Sequence, residues 1–152
     1  MPLPAPGSVA PDFTLPSTSG QSVSLASLRG KNVLIAFFPL AFTSTCTAEL
    51  GAFTDEFDRF QSAGAVVLPI SVDSIPTLKE FKAKERIGVE LLSDFKREVS
   101  RSYGVLNEER FFSNRAYVLL DAKGVVRWTH QEADNSQRRE NAELLTQLAA
   151  LS

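Results

Sequence analysis

The one cysteine of the chain, Cys46, closes the run Pro39-Leu40-Ala41-Phe42-Thr43-Ser44-Thr45-Cys46, between an apolar stretch and a helical pattern. A thiol at a helix N-terminus meets unpaired backbone N–H groups and the positive end of the helix dipole. Both favour the thiolate, the form of sulfur that acts as a nucleophile. Thr43 is three residues earlier on the same turn, where its hydroxyl can donate to a thiolate or accept from a bound hydroperoxide. Pro39 stiffens the loop and presents no N–H. Glu49, one turn beyond Cys46 on the same face, repels a thiolate but can hold an arginine in place. Each residue also has a plain structural use. Free cysteine is commonly a buried apolar residue, threonine caps helices, proline ends strands, and an acid suits a first helical turn. It is the combination that points to sulfur chemistry.

The surrounding pattern supplies elements able to position these residues. Residues 1–11 hold four of the eight prolines, and residues 1–10 are expected to be extended with few internal contacts. Phe13-Thr14-Leu15 and Val23-Ser24-Leu25 alternate around Ser17-Thr18-Ser19-Gly20, the pattern of a hairpin. Val33 to Phe38 is continuously apolar, as in a strand covered on both faces, and Pro39 ends it. Leu50, Phe53, Phe57 and Phe60 then recur at helical spacing as a core stripe that stops at Gly64. Ala65 to Val72 is a second buried strand, in which Pro69 implies a bulge or an edge. Ser74-Ile75-Pro76 opens a helix expected to reach Arg86. Leu91-Leu92 is a short strand, followed by a helical stretch through Val99 to Tyr103. Arg115–Leu120 and Val125–Thr129 flank the turn Asp121-Ala122-Lys123-Gly124, and a last helix starts near Asn135 or Ser136 and carries Leu144, Leu145, Leu148 and Leu151. A hairpin, then β-α-β-α, then an antiparallel pair and a helix describes an α/β chain in one domain, residues 1–152, with a parallel strand pair extended by antiparallel strands.

Composition limits the classes of function. The 152 residues, 43% hydrophobic and 22% charged, suit a globular domain. The net charge of −2 argues against a generic nucleic-acid binder. No apolar run is long enough for a membrane span, and the N-terminus lacks the charged start and apolar core of a signal peptide. One cysteine excludes an intrachain disulfide, which makes a reducing cytoplasm the economical expectation. One Cys and one His, His130, fall short of a zinc ligand set, and scattered glycines form neither a phosphate loop nor a dinucleotide fingerprint, so no metal and no cofactor are expected. His130 is expected to be an exposed residue at a strand end. Phe42, Phe111 and Phe112 fall in irregular segments and can line a pocket or a subunit contact.

The string Pro39-x-x-x-Thr43-x-x-Cys46 resembles the active-site signature of the peroxiredoxins, thiol-dependent peroxidases. The longer match Phe37-Phe38-Pro39-Leu40-Ala41-Phe42-Thr43-x-x-Cys46-x-x-Glu49-Leu50 is similar to their AhpE-type branch. So are Leu91-Leu92-Ser93-Asp94-Phe95, Tyr103-Gly104-Val105-x-Asn107-Glu108 and Asn114-Arg115. The likeness spans about Ala10 to Thr129. It implies a thioredoxin-like three-layer sandwich with a central mixed sheet and an N-terminal hairpin. It also implies roles: Cys46 as peroxidatic cysteine, Thr43 hydrogen-bonding peroxide and sulfur, Pro39 shielding the site, Arg115 as active-site arginine and Glu49 orienting it. The expected substrates are hydrogen peroxide and organic hydroperoxides, with peroxynitrite also implied. A related branch has a second cysteine five residues downstream, where this chain has Gly51. A one-cysteine enzyme, commonly a homodimer, is therefore expected. An external thiol would reduce it: a low-molecular-weight thiol with a glutaredoxin-like protein, or thioredoxin. Excess peroxide would carry the sulfur on to sulfinic acid.

Two other classes compete. A redox-regulated binding or holdase protein would use Cys46 as a sensor. A thiol-disulfide oxidoreductase needs Cys-x-x-Cys, and Thr43 occupies the first of those positions.

Overall fold

The computed structural model describes residues 3–151. Its first strands, β1 (Thr14–Pro16) and β2 (Ser22–Ser24), form the expected hairpin, with Thr14 opposite Ser24. A 3₁₀ turn, Leu25–Leu28, leads into β3 (Asn32–Phe37), followed by α1 (Ser44–Asp55), α2 (Phe57–Ser62), β4 (Ala65–Ser71) and α3 (Ile75–Lys84). Next come β5 (Leu92–Ser93), α4 (Glu98–Ser102), the small pair β6 (Leu106–Asn107) and β7 (Phe112–Ser113), β8 (Ala116–Leu120), β9 (Val126–Gln131) and α5 (Asn141–Ala149).

Five strands form a mixed sheet in the order β5-β4-β3-β8-β9. β3 pairs parallel with β4 and antiparallel with β8, and β4 and β5 are parallel. Side chains alternate across a strand, so β3 serves two cores. Leu34, Ala36 and Phe38 pack with Leu50, Phe53, Phe60, Phe81 and Leu148 on one face, while Val33, Ile35 and Phe37 pack with Leu15, Leu25, Val99 and Tyr103 on the other. Burial on both faces explains the unbroken apolar run of β3. The result is the three-layer α/β arrangement with a mixed sheet and a flanking hairpin.

Several details depart from the sequence pattern. Pro69 makes no bulge and β4 is not an edge strand: the β3–β4 register runs unbroken from Asn32–Ala65 to Phe37–Ile70. Ile70 accepts from Phe38 N on the β3 side, so Pro69 turns its nitrogen toward β5, whose pairing begins only at Ile70–Leu92. The missing donor has no partner to lose there. The helix after Cys46 breaks at Glu56 (φ −117°, ψ 25°), where Asn141 Nδ2 donates to the Ala52 carbonyl at 2.8 Å and to Glu56 Oε1 at 3.0 Å. The break rotates Phe57 out of the expected stripe and leaves it exposed, whereas Phe60 stays buried.

The N-terminal segment was expected to make few contacts, yet Gly7 N donates to Val126 O, Ala10 N to Gly124 O and Val126 N to Ser8 O. It is strapped onto the β8–β9 turn; Met1 and Pro2 lie outside the described residues. Phe112 belongs to β7 rather than to an irregular segment. The last helix begins at Asn141, not near Asn135 or Ser136. Asp134 Oδ1 accepts from both the amide (2.8 Å) and the hydroxyl (2.6 Å) of Ser136, a local turn that competes with helix. His130 lies inside β9, half-buried, its ring parallel to Trp128 (8° between planes) and its Nε2 3.1 Å from Glu132 Oε1. It is therefore neither at a strand end nor fully exposed.

Candidate active site

Cys46 is the third residue of α1, directly beyond the carboxyl end of β3. The connecting loop is fixed by hydrogen bonds. Ala41 N donates to Asp73 Oδ2 at 2.8 Å, and the same oxygen accepts from Ser71 Oγ at 2.7 Å, so the end of β4 holds the loop that follows β3. Pro39 is buried. Phe42 takes a positive φ of 67° to turn the chain, and its ring rests 5.0 Å from that of Phe81. Thr43 is the N-cap, with extended backbone; its carbonyl accepts from Thr47 N and Thr47 Oγ1. Its exposed hydroxyl donates to the Leu40 carbonyl at 2.8 Å and makes no hydrogen bond to Cys46.

Cys46 has no exposed surface. Arg115, just before β8 and 1% exposed, donates from Nη2 to Cys46 Sγ at 3.0 Å and from Nη1 to Glu49 Oε1 at 2.6 Å. The guanidinium thus spans the two α1 residues that lie one turn apart. Nη2 and Nε also reach the Asn135 carbonyl, at 3.2 and 3.4 Å, and Asn135 Oδ1 accepts from Arg115 N at 2.9 Å. Tyr117 donates its hydroxyl to Glu49 Oε2 and accepts from Arg139 N at 3.0 Å. Every buried side-chain polar atom among the described residues has a partner, which is what makes so polar a cluster tolerable in a core.

The charges follow from this geometry. Burial pushes the Glu49 carboxyl above its ordinary range, opposed by the Arg115 charge and by hydrogen bonds from Tyr117 and Arg115. Burial also works against the charge of Arg115, but Glu49 and Cys46 outweigh it and hold the guanidinium above its usual value. Arg115 is a permanent planar cation with one nitrogen on sulfur and one on a carboxylate. Such a fork can stabilise negative charge on sulfur and on an oxygen next to it. Among the described residues no cluster of three or more His, Cys, Asp or Glu side chains is arranged to hold a metal.

The structure brings together Cys46, Glu49 and Arg115, and places Pro39 and Thr43 on the loop at the start of their helix. Sequence reasoning missed Tyr117, Asn135 and Asp73. Tyr117 left one trace: strand periodicity puts positions 115 and 117 on one face. Asn135 was hidden because its stretch reads as the start of a helix, and Asp73 because nothing local marks it as a loop clamp.

The sequence matches the AhpC/TSA family over residues 6–129. It is 39% identical over 135 residues to alkyl hydroperoxide reductase E of Mycobacterium tuberculosis (strain ATCC 25618 / H37Rv), covering 87% of this chain and 88% of that protein. It is 36% identical over 126 residues to peroxiredoxin Bcp of Escherichia coli (strain K12), covering 79% and 81%. The crystal structure of reduced Plasmodium vivax 2-Cys peroxiredoxin superposes with a TM-score of 0.88 at 32% identity, over 95% of this chain and 80% of that one. The chain belongs to the AhpC/TSA family, with the thioredoxin-like fold of the peroxiredoxins. It is a thiol-dependent peroxidase of the one-cysteine type, acting on a peroxide and recycled by a thiol or thioredoxin-type reductant.

Proposed function

We propose that Cys46 is the peroxidatic residue, that hydrogen peroxide and organic hydroperoxides, with peroxynitrite beside them, are its substrates, and that the chain works as one domain. The thiolate attacks one peroxide oxygen. An S–O bond forms, the O–O bond breaks, and its electron pair leaves on the second oxygen, which takes up a proton as water or an alcohol, or departs as nitrite from peroxynitrite; the sulfur, oxidised by two electrons, becomes a sulfenic acid. Arg115 stabilises the charge as it moves from sulfur to the departing oxygen, and Glu49 holds Arg115 for that task. Thr43 already commits its proton to Leu40, so it accepts a hydrogen bond from the incoming hydroperoxide rather than donating to sulfur. Buried Pro39 excludes water from the loop.

No second cysteine stands in the sequence, so the sulfenic acid reacts with an external thiol to give a mixed disulfide and water, and a second thiol releases Cys46. A low-molecular-weight thiol with a glutaredoxin-like protein, or thioredoxin, fits this cycle, as does a reducing cytoplasm. Among the described residues no helix is long and apolar enough to cross a membrane.

The observation that carries this reading is the Arg115 Nη2–Cys46 Sγ hydrogen bond of 3.0 Å, with Nη1 on Glu49. The test is stopped-flow oxidation of the reduced protein beside Cys46→Ser. Peroxide consumption no faster than that of a free thiol removes the reading. A mass spectrum after one equivalent of peroxide, with a sulfenic-acid trap, identifies the intermediate. Exposed Phe95, Phe111 and Phe42 support a homodimer contact. They also keep open a second reading, a holdase-like response in which oxidation of Cys46 changes assembly. Identical elution of reduced and peroxide-treated protein on size exclusion removes that second reading.

A further inference from the structure

We infer that Tyr117 is a positioning residue for the peroxidase reaction: through its hydroxyl it keeps Glu49 ionised and Glu49 in turn keeps Arg115 on Cys46. This rests on the reading of Cys46 and Arg115 given above.

The chain of bonds is continuous. Tyr117 Oη donates to Glu49 Oε2, Glu49 Oε1 accepts from Arg115 Nη1 at 2.6 Å, and Arg115 Nη2 donates to Cys46 Sγ at 3.0 Å. Tyr117, Glu49, Arg115 and Cys46 are all 1% exposed or less. The groups acting on Glu49 are Arg115 and Tyr117 at β8 and Arg138 from residues 133–140, and Cys46, one turn earlier on its own helix, is linked to it through Arg115. Asn141, by contrast, spends its amide on Ala52 and Glu56. Each carboxylate oxygen of Glu49 thus has one side-chain donor, Arg115 on one and Tyr117 on the other.

A buried carboxylate with a donor missing favours its protonated form. Burial already pushes Glu49 in that direction, and it pushes the Tyr117 phenol upward as well, so Tyr117 keeps its proton to donate. Once neutral, Glu49 gives Arg115 only a weak hydrogen bond in place of an ion pair. The fork then loses its fixed orientation toward sulfur. Tyr117 also accepts from the Arg139 amide, so the segment whose Asn135 carbonyl meets Arg115 is tied to the same hydroxyl.

The experiment removes only the oxygen, with Tyr117→Phe, and follows Cys46 oxidation by stopped flow across pH. We expect about tenfold slower oxidation at neutral pH and an added acid-side step. The deficit is largest where Glu49 is protonated and shrinks as pH rises. Wild-type rates within twofold and an unchanged profile overturn the inference. In a Glu49→Gln background the same change is expected to alter the rate less than twofold, because its route is gone; a full tenfold loss there shows action by another path and also overturns it. The NMR resonances of the Arg115 guanidinium give a readout independent of peroxide. In Tyr117→Phe the acid-side step they show from Glu49 is expected at higher pH than in the wild type; coinciding profiles overturn the inference even if the protein proves not to be a fast peroxidase. Should Tyr117→Phe not fold, fluorotyrosine incorporated in a Tyr103→Phe protein changes the donor strength of Tyr117 alone, and an unaltered pH profile decides against it.

Discussion

Glu49 and Asp94, two of the three carboxylates buried among the described residues, are satisfied in different ways. Glu49 faces a cation and a phenol, while Asp94, 1% exposed, accepts from Val99 N (3.2 Å), Ser100 N (2.6 Å) and Ser100 Oγ (2.6 Å) with no cation bonded to it. Burial pushes both carboxyls upward, and hydrogen bonds oppose it in each case. The partners decide the outcome. Donors fixed in the first turn of α4 make Asp94 a clamp on the chain between β5 and α4. A permanently charged guanidinium, held between sulfur and carboxylate, lets Glu49 aim charge at Cys46. The same desolvated group serves architecture in one core and reactivity in the other.

The contrast is sharpest when one partner is removed from each. Arg115→Met is expected to slow peroxide oxidation by about 10²–10³-fold and, by leaving Glu49 buried without its cation, to destabilise the fold by about 3–5 kcal/mol; stopped flow and denaturant melts measure the two separately. Asp94→Ala strands the Val99 and Ser100 amides, while the Ser100 hydroxyl keeps Ser113, and is expected to cost about 3 kcal/mol, yet to leave oxidation of the folded fraction within twofold of wild type. A large rate loss in Asp94→Ala collapses the distinction. The smallest effect is at Glu56, on the surface, whose carboxyl lies below its ordinary 4.5 because Asn141 and Arg59 donate to it. Its charge therefore supports the native state above that pH, and the support is lost as pH falls through the lowered value. Melting temperatures of wild type and Glu56→Gln are expected to differ near neutrality and to converge on acidification.

The strands and the sulfur were legible in the sequence, because their signals are local. β3 shows as an unbroken apolar run since both its faces are covered, and Cys46 is marked by its place between that run and a helical period. What failed depends on partners distant in the chain. Phe57 fits the stripe of α1, but the helix breaks one residue before it, at Glu56, where Asn141 bonds. The segment from Asp134 looks helical until its polar groups are seen to serve Ser136 and Arg115. Arg115 has no local mark among the basic residues and entered only through family resemblance. Tyr117 escaped because a core position in a strand asks only for bulk, and the use of its hydroxyl appears only once Glu49 is folded against it.

The complete enclosure of Cys46 sets a size filter on its partners. An oxidant as small as hydrogen peroxide needs only a brief parting of side chains to touch sulfur. A thiol carried on a protein needs a wider opening beside the first turn of α1, which the Thr47 bonds to the Thr43 carbonyl hold in place. The two halves of the turnover thus sample different depths of opening, and a ligand that stiffens residues 38–46 slows recycling before it slows capture of the oxidant.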